Sequence, residues 1–158
     1  MSRAGINICL RESYEQDGHY RDVYNRLDEL RGTSRGVTIG TINGNRPLRE
    51  LVDVSAFIGG PPCEGFAHNG CQLGELDPRS QSYLVIATWI VEWAKHGVLK
   101  WYAIENSLEI GPGGRHALFG LKMIDYFREH IPGFHHSVEN SRLVSFLPHV
   151  RNRAWVRG

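Results

Sequence analysis

With 158 residues, 41% of them hydrophobic and 22% charged, the chain has the material for one modest buried core, and nothing in it marks a disordered tract. Its 18 Lys and Arg against 17 Asp and Glu leave a formal charge of +1, far from the strongly basic balance of a dedicated DNA binder. The longest apolar stretch, around Tyr83 to Val91, is too short to span a bilayer, and Cys9, Cys63 and Cys71 make no disulfide framework. No membrane partner and an intracellular, reducing location are therefore expected, with nucleus and prokaryotic cytoplasm equally compatible.

The predicted elements alternate between helix and strand. His19 to Arg31 carries Tyr20, Val23, Tyr24, Leu27 and Leu30 at helical spacing, and Tyr14 precedes it. Gly36 to Gly44 (GVTIGTING) contains a strand flanked by glycines. Val54 to Ile58 (VSAFI) reads as a short buried strand that Gly59, Gly60, Pro61 and Pro62 end abruptly. Gln81 to Lys95 is a helix with Tyr83, Ile86, Ala87, Ile90 and Ala94 on its core face, closed by Gly97. It crosses over to the strand Trp101 to Ile104. His116 to Ile131 forms another helix, with Leu118, Leu121, Met123, Ile124 and Phe127 as its apolar set and Pro132-Gly133 as its stop. Phe134 to Val138 and Ala154 to Val156 are expected to close the sheet as an antiparallel pair, with His135 and His136 as exposed strand residues. The fold class is α/β, a parallel sheet with an antiparallel edge pair.

Cys63 lies just past the Val54 to Ile58 strand, in the run Gly59 to Phe66 (GGPPCEGF). Prolines restrict the backbone here and glycines let another molecule approach it, so the loop can aim a sulfur at a flat substrate. That is the setting of a nucleophile. Two other sites compete for attention. Cys63, His68 and Cys71 have no standard zinc spacing and no fourth ligand, so no metal is expected. Gly111 to Arg115 precedes a helix but lacks the lysine and hydroxyl residue of a phosphate loop, and reads as a connection.

The GGPPC run followed by Gly65-Phe66 resembles the catalytic loop of the C5-cytosine methyltransferases, with Glu64 and Ala67 where that family usually has Gln and Ser. Asp77-Pro78-Arg79 matches its DPR segment, Glu105-Asn106-Ser107 its ENV motif, and Pro148 to Arg153 (PHVRNR) its PQxRxR motif, with His149 replacing Gln. All four stand in the family's order, and the likeness runs from about Asp53 to Gly158. It implies a Rossmann-like, S-adenosylmethionine-dependent methyltransferase fold, truncated relative to the family.

The resemblance also implies a reaction, transfer of a methyl group to carbon 5 of cytosine in DNA. Cys63 would add to carbon 6, because carbon 5 is a poor nucleophile until the ring becomes an enamine. Glu105 would donate to ring nitrogen 3, and Arg151 and Arg153 would contact the base carbonyl, the phosphates or Glu105. Pro61, Pro62, Gly65, Phe66, Asn106 and Arg79 would shape the substrate site. Asn43, Gly60 and Pro61 would border the cofactor. The cytosine must be flipped or single-stranded. Nucleic acid is the expected partner, DNA favoured over RNA although related enzymes act on transfer RNA through the same loop chemistry. Arg142, Arg151, Arg153 and Arg157 in an acid-free stretch suit phosphates.

Two departures from the family pattern accompany these matches. Residues 1–50 contain no FxGxG cofactor turn, and the chain stops before the family's target-recognition region. One partial catalytic domain is expected, divergent over 1–50 and family-like over 53–158, with a complementing methyltransferase chain as a further partner. The alternative is a catalytically inactive or split-enzyme fragment that binds nucleic acid or another chain. A thiol enzyme pairing Cys63 with Cys71 or a histidine has no motif to support it.

Overall fold

The computed structural model describes residues 55–140 and 153–158, and in the N-terminal part Tyr14–Glu15, Thr38–Ile39 and four helical positions, Tyr20, Asp22, Val23 and Arg26. The chain divides into two compact units, Met1–Asn45 and Arg46–Gly158. In the first, β1 (Tyr14–Glu15) pairs in parallel with β2 (Thr38–Ile39), with the helical positions between them in sequence. A parallel pair requires such a crossover. The helix and the later strand were expected, whereas Tyr14 enters a strand rather than merely preceding the helix. Tyr20 and Val23 correct the expected core stripe, being 57% and 42% exposed. Helical spacing identifies a face, and the tertiary context decides whether that face is covered.

The second unit is built on a four-stranded sheet of β3 (Ala56–Gly59), β4 (Trp101–Ser107), β5 (Ser137–Asn140) and β6 (Arg153–Arg157), in the order β3-β4-β6-β5. The pair β3 and β4 is parallel, and β6 runs antiparallel to both β4 and β5. The expected antiparallel closure is present. Its first strand starts later than the sequence suggested, at Ser137, because Phe134 is still in the turn after the second helix, where its N–H donates to the Ile131 carbonyl.

Between β3 and β4 runs α1 (Gln81–Lys95), and α2 (Ala117–His130) precedes β5. Trp93 of α1 lies against Phe57, and Phe127 of α2 against Tyr102, with ring centroids 5.8 and 4.8 Å apart. Phe57 and Tyr102 are register partners, so both helices cover the same face of the sheet. Between helices and sheet lie Phe66, Tyr83, Ile86, Ile90, Ile104, Ile124, Phe127 and Val156, all at most 2% exposed. Gly97, at φ +72°, ends α1 in the left-handed conformation that glycine adopts without penalty.

The buried stripe of α2 corrects the sequence reading. It consists of Phe119, Gly120, Met123, Ile124 and Phe127, whereas Leu118 and Leu121 are 75% and 50% exposed. Gly120 explains the rotation. A β-carbon there would sit 2.2 Å from the Ile110 carbonyl oxygen, so the helix packs with its glycine against backbone. That choice points the two leucines outward.

His136 is a second correction, being buried rather than exposed, while His135 is exposed as expected. The Tyr102 hydroxyl lies 2.9 Å from its Nδ1 and the Ile131 carbonyl 3.0 Å from its Nε2. A carbonyl only accepts, so Nε2 carries the proton and Nδ1 receives the Tyr102 hydroxyl. Desolvation by burial lowers the His136 pKa below its ordinary value, and the bond to Ile131 offsets this only in part. The folded state therefore favours neutral imidazole, and this stabilisation is present above the unfolded pKa near 6.5 and is lost as pH falls through the lower folded value. A thermal melting series from pH 7.5 to pH 5 is expected to show Tm falling over that interval, with His136→Gln flattening the dependence.

Candidate active site

The carboxyl ends of β3 and β4 lie side by side, and Gly60, Pro61, Cys63, Glu105, Asn106 and Arg153, all singled out by sequence, come from these ends and the strand beside them. Gly60, Pro61 and Pro62 carry the chain off β3 without regular structure, and Cys63 then opens a turn in which its carbonyl accepts from the N–H groups of Phe66 and Ala67, at 2.9 and 2.7 Å. Cys63 is partly exposed. Behind it the loop is anchored by Phe66, wholly buried between Tyr83, His116 and Phe119 with ring centroids 4.6 to 5.6 Å away. Gly65 is equally constrained, since a β-carbon would lie 2.7 Å from Ser80 Oγ. Phe66 and Gly65 thus fix the loop from inside the core.

From β4, Asn106 reaches across to that loop. It is 0% exposed, donates from Nδ2 to the Pro61 carbonyl at 3.0 Å, and accepts the Ser107 N–H at 2.7 Å. This side chain is the direct link between the Glu105-Asn106-Ser107 motif and the cysteine loop. Sequence alone placed Asn106 toward substrate, and the structure adds this bracing contact. Glu105, one residue earlier, takes the opposite face of the strand. Its carboxylate forms an ion pair with Arg153 Nε of β6, the two side chains being 30% and 22% exposed. Its other oxygen lies over Gly60, 3.1 Å from where a β-carbon would be. Arg151, Asn43 and His149 fall outside the described residues.

Arg79 lies on the far side of the loop and is engaged by protein. Its main-chain N–H and Nε each donate to Asp77 Oδ1 at 2.9 Å, its Nη2 donates to Oδ2 at 2.6 Å, and Glu64 lies 4.0 Å from Nη1. Asp77 is 2% exposed, and the Arg79 bonds, with the Cys71 thiol donating at 2.7 Å, hold its carboxyl well below the usual carboxylate range. Cys71 is thereby committed to this cluster. Among the described residues no group of three or more His, Cys, Asp and Glu is placed to hold a metal ion. The connection Gly111 to Arg115 folds back on Glu109, whose carboxylate accepts the Arg115 N–H at 2.9 Å.

One buried group that sequence reasoning treated only as core is Tyr83 of α1. Burial first, then the charges of Glu105 and Cys63, raise its pKa well above the ordinary phenol value, and only the Asn106 side chain counters this. Its hydroxyl therefore belongs to the surroundings of the site. A tyrosine in a stripe of core residues was the available signal.

No family model and no curated protein matches the sequence. Among solved structures, a triple mutant of Spodoptera frugiperda DNMT2 matches over 98% of this chain and 43% of its own, at 17% identity and a TM-score of 0.62. The S. pombe Dnmt2 methyltransferase matches over 98% and 44%, at 18% identity and a TM-score of 0.61. The chain thus spans less than half the length of either. No helix among the described residues is long and apolar enough to cross a membrane. Parallel β3 and β4 joined through α1, the antiparallel β6 and β5, and the loop at their carboxyl edge together give this chain the α/β, Rossmann-like fold of the Dnmt2 methyltransferase structures.

Proposed function

We propose that the protein transfers a methyl group from S-adenosylmethionine to carbon 5 of cytosine in a nucleic acid, DNA being the first substrate to try, through a covalent bond to Cys63. The observation that carries this reading is the Asn106 bridge to Pro61, which locks the cysteine loop to the strand bearing Glu105. Nucleophile and acid then share one edge of a parallel sheet, where open α/β folds take their ligands.

The described residues fit one wall of a cofactor site. Gly60 is exposed at the carboxyl end of β3, and a β-carbon there would meet nothing nearer than Glu105 Oε2, so S-adenosylmethionine would lie against the Gly60–Pro61 backbone. When bound, it would supply an electron-poor methyl group and be left as its demethylated thioether. Cys63 Sγ adds to carbon 6, and the displaced electron pair runs through carbon 5 as ring nitrogen 3 receives a proton or hydrogen bond from Glu105. Arg153 holds the Glu105 carboxyl group in place. After carbon 5 is methylated it loses its proton to a base, and the electrons of that bond expel the thiolate from carbon 6. Cys63 is thus regenerated.

The test is covalent capture. Incubated with S-adenosylmethionine and an oligonucleotide carrying 5-fluorocytosine, which has no proton to lose at carbon 5, the protein is expected to form a denaturant-resistant adduct. Parallel DNA and RNA arms identify the nucleic acid. A folded sample that binds no cofactor by calorimetry and traps neither oligonucleotide would overturn the proposal in favour of a catalytically inactive binding role.

A further inference from the structure

We propose that Tyr83 is a positioning residue for Cys63, its hydroxyl and the Asn106 side chain together bracing the Pro61–Cys63 loop from beneath. The inference rests on the reading of Cys63 as the reactive thiol, but not on methyl transfer itself. Tyr83 is 0% exposed, and among the described residues its hydroxyl has no hydrogen-bond partner. A buried hydroxyl left unpaired costs about 1–3 kcal/mol, so it calls for an explanation. The ring is fixed, packing edge-on against Phe66 and Phe119 with centroids 5.6 and 5.2 Å away. Phe66 belongs to the cysteine loop itself, so the ring already supports that loop and the hydroxyl extends from it toward Asn106.

Capacity for a bond exists at Asn106. Its Nδ2 spends one hydrogen on the Pro61 carbonyl and its Oδ1 one lone pair on the Ser107 N–H, leaving the second Nδ2 hydrogen to donate. Asn106 acts to lower the pKa of Tyr83, as an amide N–H directed at the phenol oxygen does, although the contact falls short of hydrogen-bond geometry. A small rotation of either group closes the bond, with Nδ2 donating its second hydrogen to the phenol oxygen. The phenol oxygen, held in its neutral form by desolvation and the negative charge of Glu105, has lone pairs unspent among the described residues to accept it. Once made, the bond fixes the plane of the amide and so aims its N–H at the Pro61 carbonyl, two residues before the sulfur. The chain acquires a rigid mount for Cys63 that a phenylalanine at position 83 could not complete.

Tyr83→Phe keeps the ring and removes only the hydroxyl, so the variant should fold, with Tm lowered by no more than the few degrees that one hydrogen bond is worth. The test is the rate of Cys63 alkylation by iodoacetamide between pH 6 and pH 10, followed by peptide mass spectrometry, with Cys71 as an internal control. Tyr83→Phe is expected to slow Cys63 alkylation about fivefold across this pH range, while Cys71 is unaffected. An unchanged Cys63 profile in a folded variant overturns the inference, the hydroxyl then being an idle core group. Because alkylation needs neither cofactor nor nucleic acid, a failure of the methyltransferase reading leaves this result intact, and the converse also holds.

Discussion

Cys63→Ala is expected to abolish adduct formation on 5-fluorocytosine and to lower methyl transfer by about a thousandfold or more, the scale on which loss of a covalent nucleophile acts. Alanine occupies less space at a partly exposed position, so the fold should survive and cofactor binding should persist. The companion variant makes the result specific. Cys71 is exposed and its thiol donates to Asp77, yet Asp77 retains three bonds from Arg79 without it. Cys71→Ala should therefore change trapping only about twofold, the usual reach of a surface substitution. Gel-shift under denaturing conditions, with peptide mapping of the adduct, reads both variants at once. Trapping that survives loss of Cys63 would sink the mechanism.

Asn106→Ala is expected to be the most damaging single change to the architecture of the site. It strips a buried Pro61 carbonyl and a buried Ser107 N–H of their partner and opens a cavity, an effect on the order of 2–4 kcal/mol. Denaturant unfolding monitored by tryptophan fluorescence measures it. Asn106→Asp separates stability from geometry, because a carboxylate can still accept from Ser107 but presents an oxygen to the Pro61 carbonyl. That variant should fold better than Asn106→Ala at low pH, where the acid is protonated, and worse at neutral pH. Equal, small losses for both would mean that the loop holds its shape without β4.

Much of this was legible in the residues themselves. The breaks at Gly60–Pro62, Gly97 and Pro132-Gly133 delimit β3, α1 and α2 because glycine and proline act locally, and local effects need no knowledge of the fold, whereas Gly59 stays within the strand. Glu105 and Asn106 were legible as a pair, and strand alternation alone sends them to opposite faces. What sequence could not tell was which of two plausible apolar stripes α2 would bury, since the answer depends on Gly120 meeting the Ile110 carbonyl, a contact made across ten residues. The burial of His136, which precedes β5 and is not itself in a strand, likewise depends on Tyr102 from β4. Arg79 read as part of the substrate site and is held by Asp77, a partner only two residues away whose side-chain direction is set by the Pro78–Ser80 turn.

The pairing of Arg153 with Glu105 makes the chemistry of the site depend on how β6 is threaded. In β6 the residues alternate, Ala154 and Val156 lying buried under the helices while Arg153, Trp155 and Arg157 face the other way. A slip of one residue against β4 would carry both arginines into the apolar layer and expel Val156 from it, a cost no misaligned hairpin can recover. Only the correctly aligned strand delivers a guanidinium to the acid. A chain with β6 out of step would therefore be both unstable and without its contact to Glu105, so the alignment that completes the sheet also proofreads the Arg153–Glu105 ion pair.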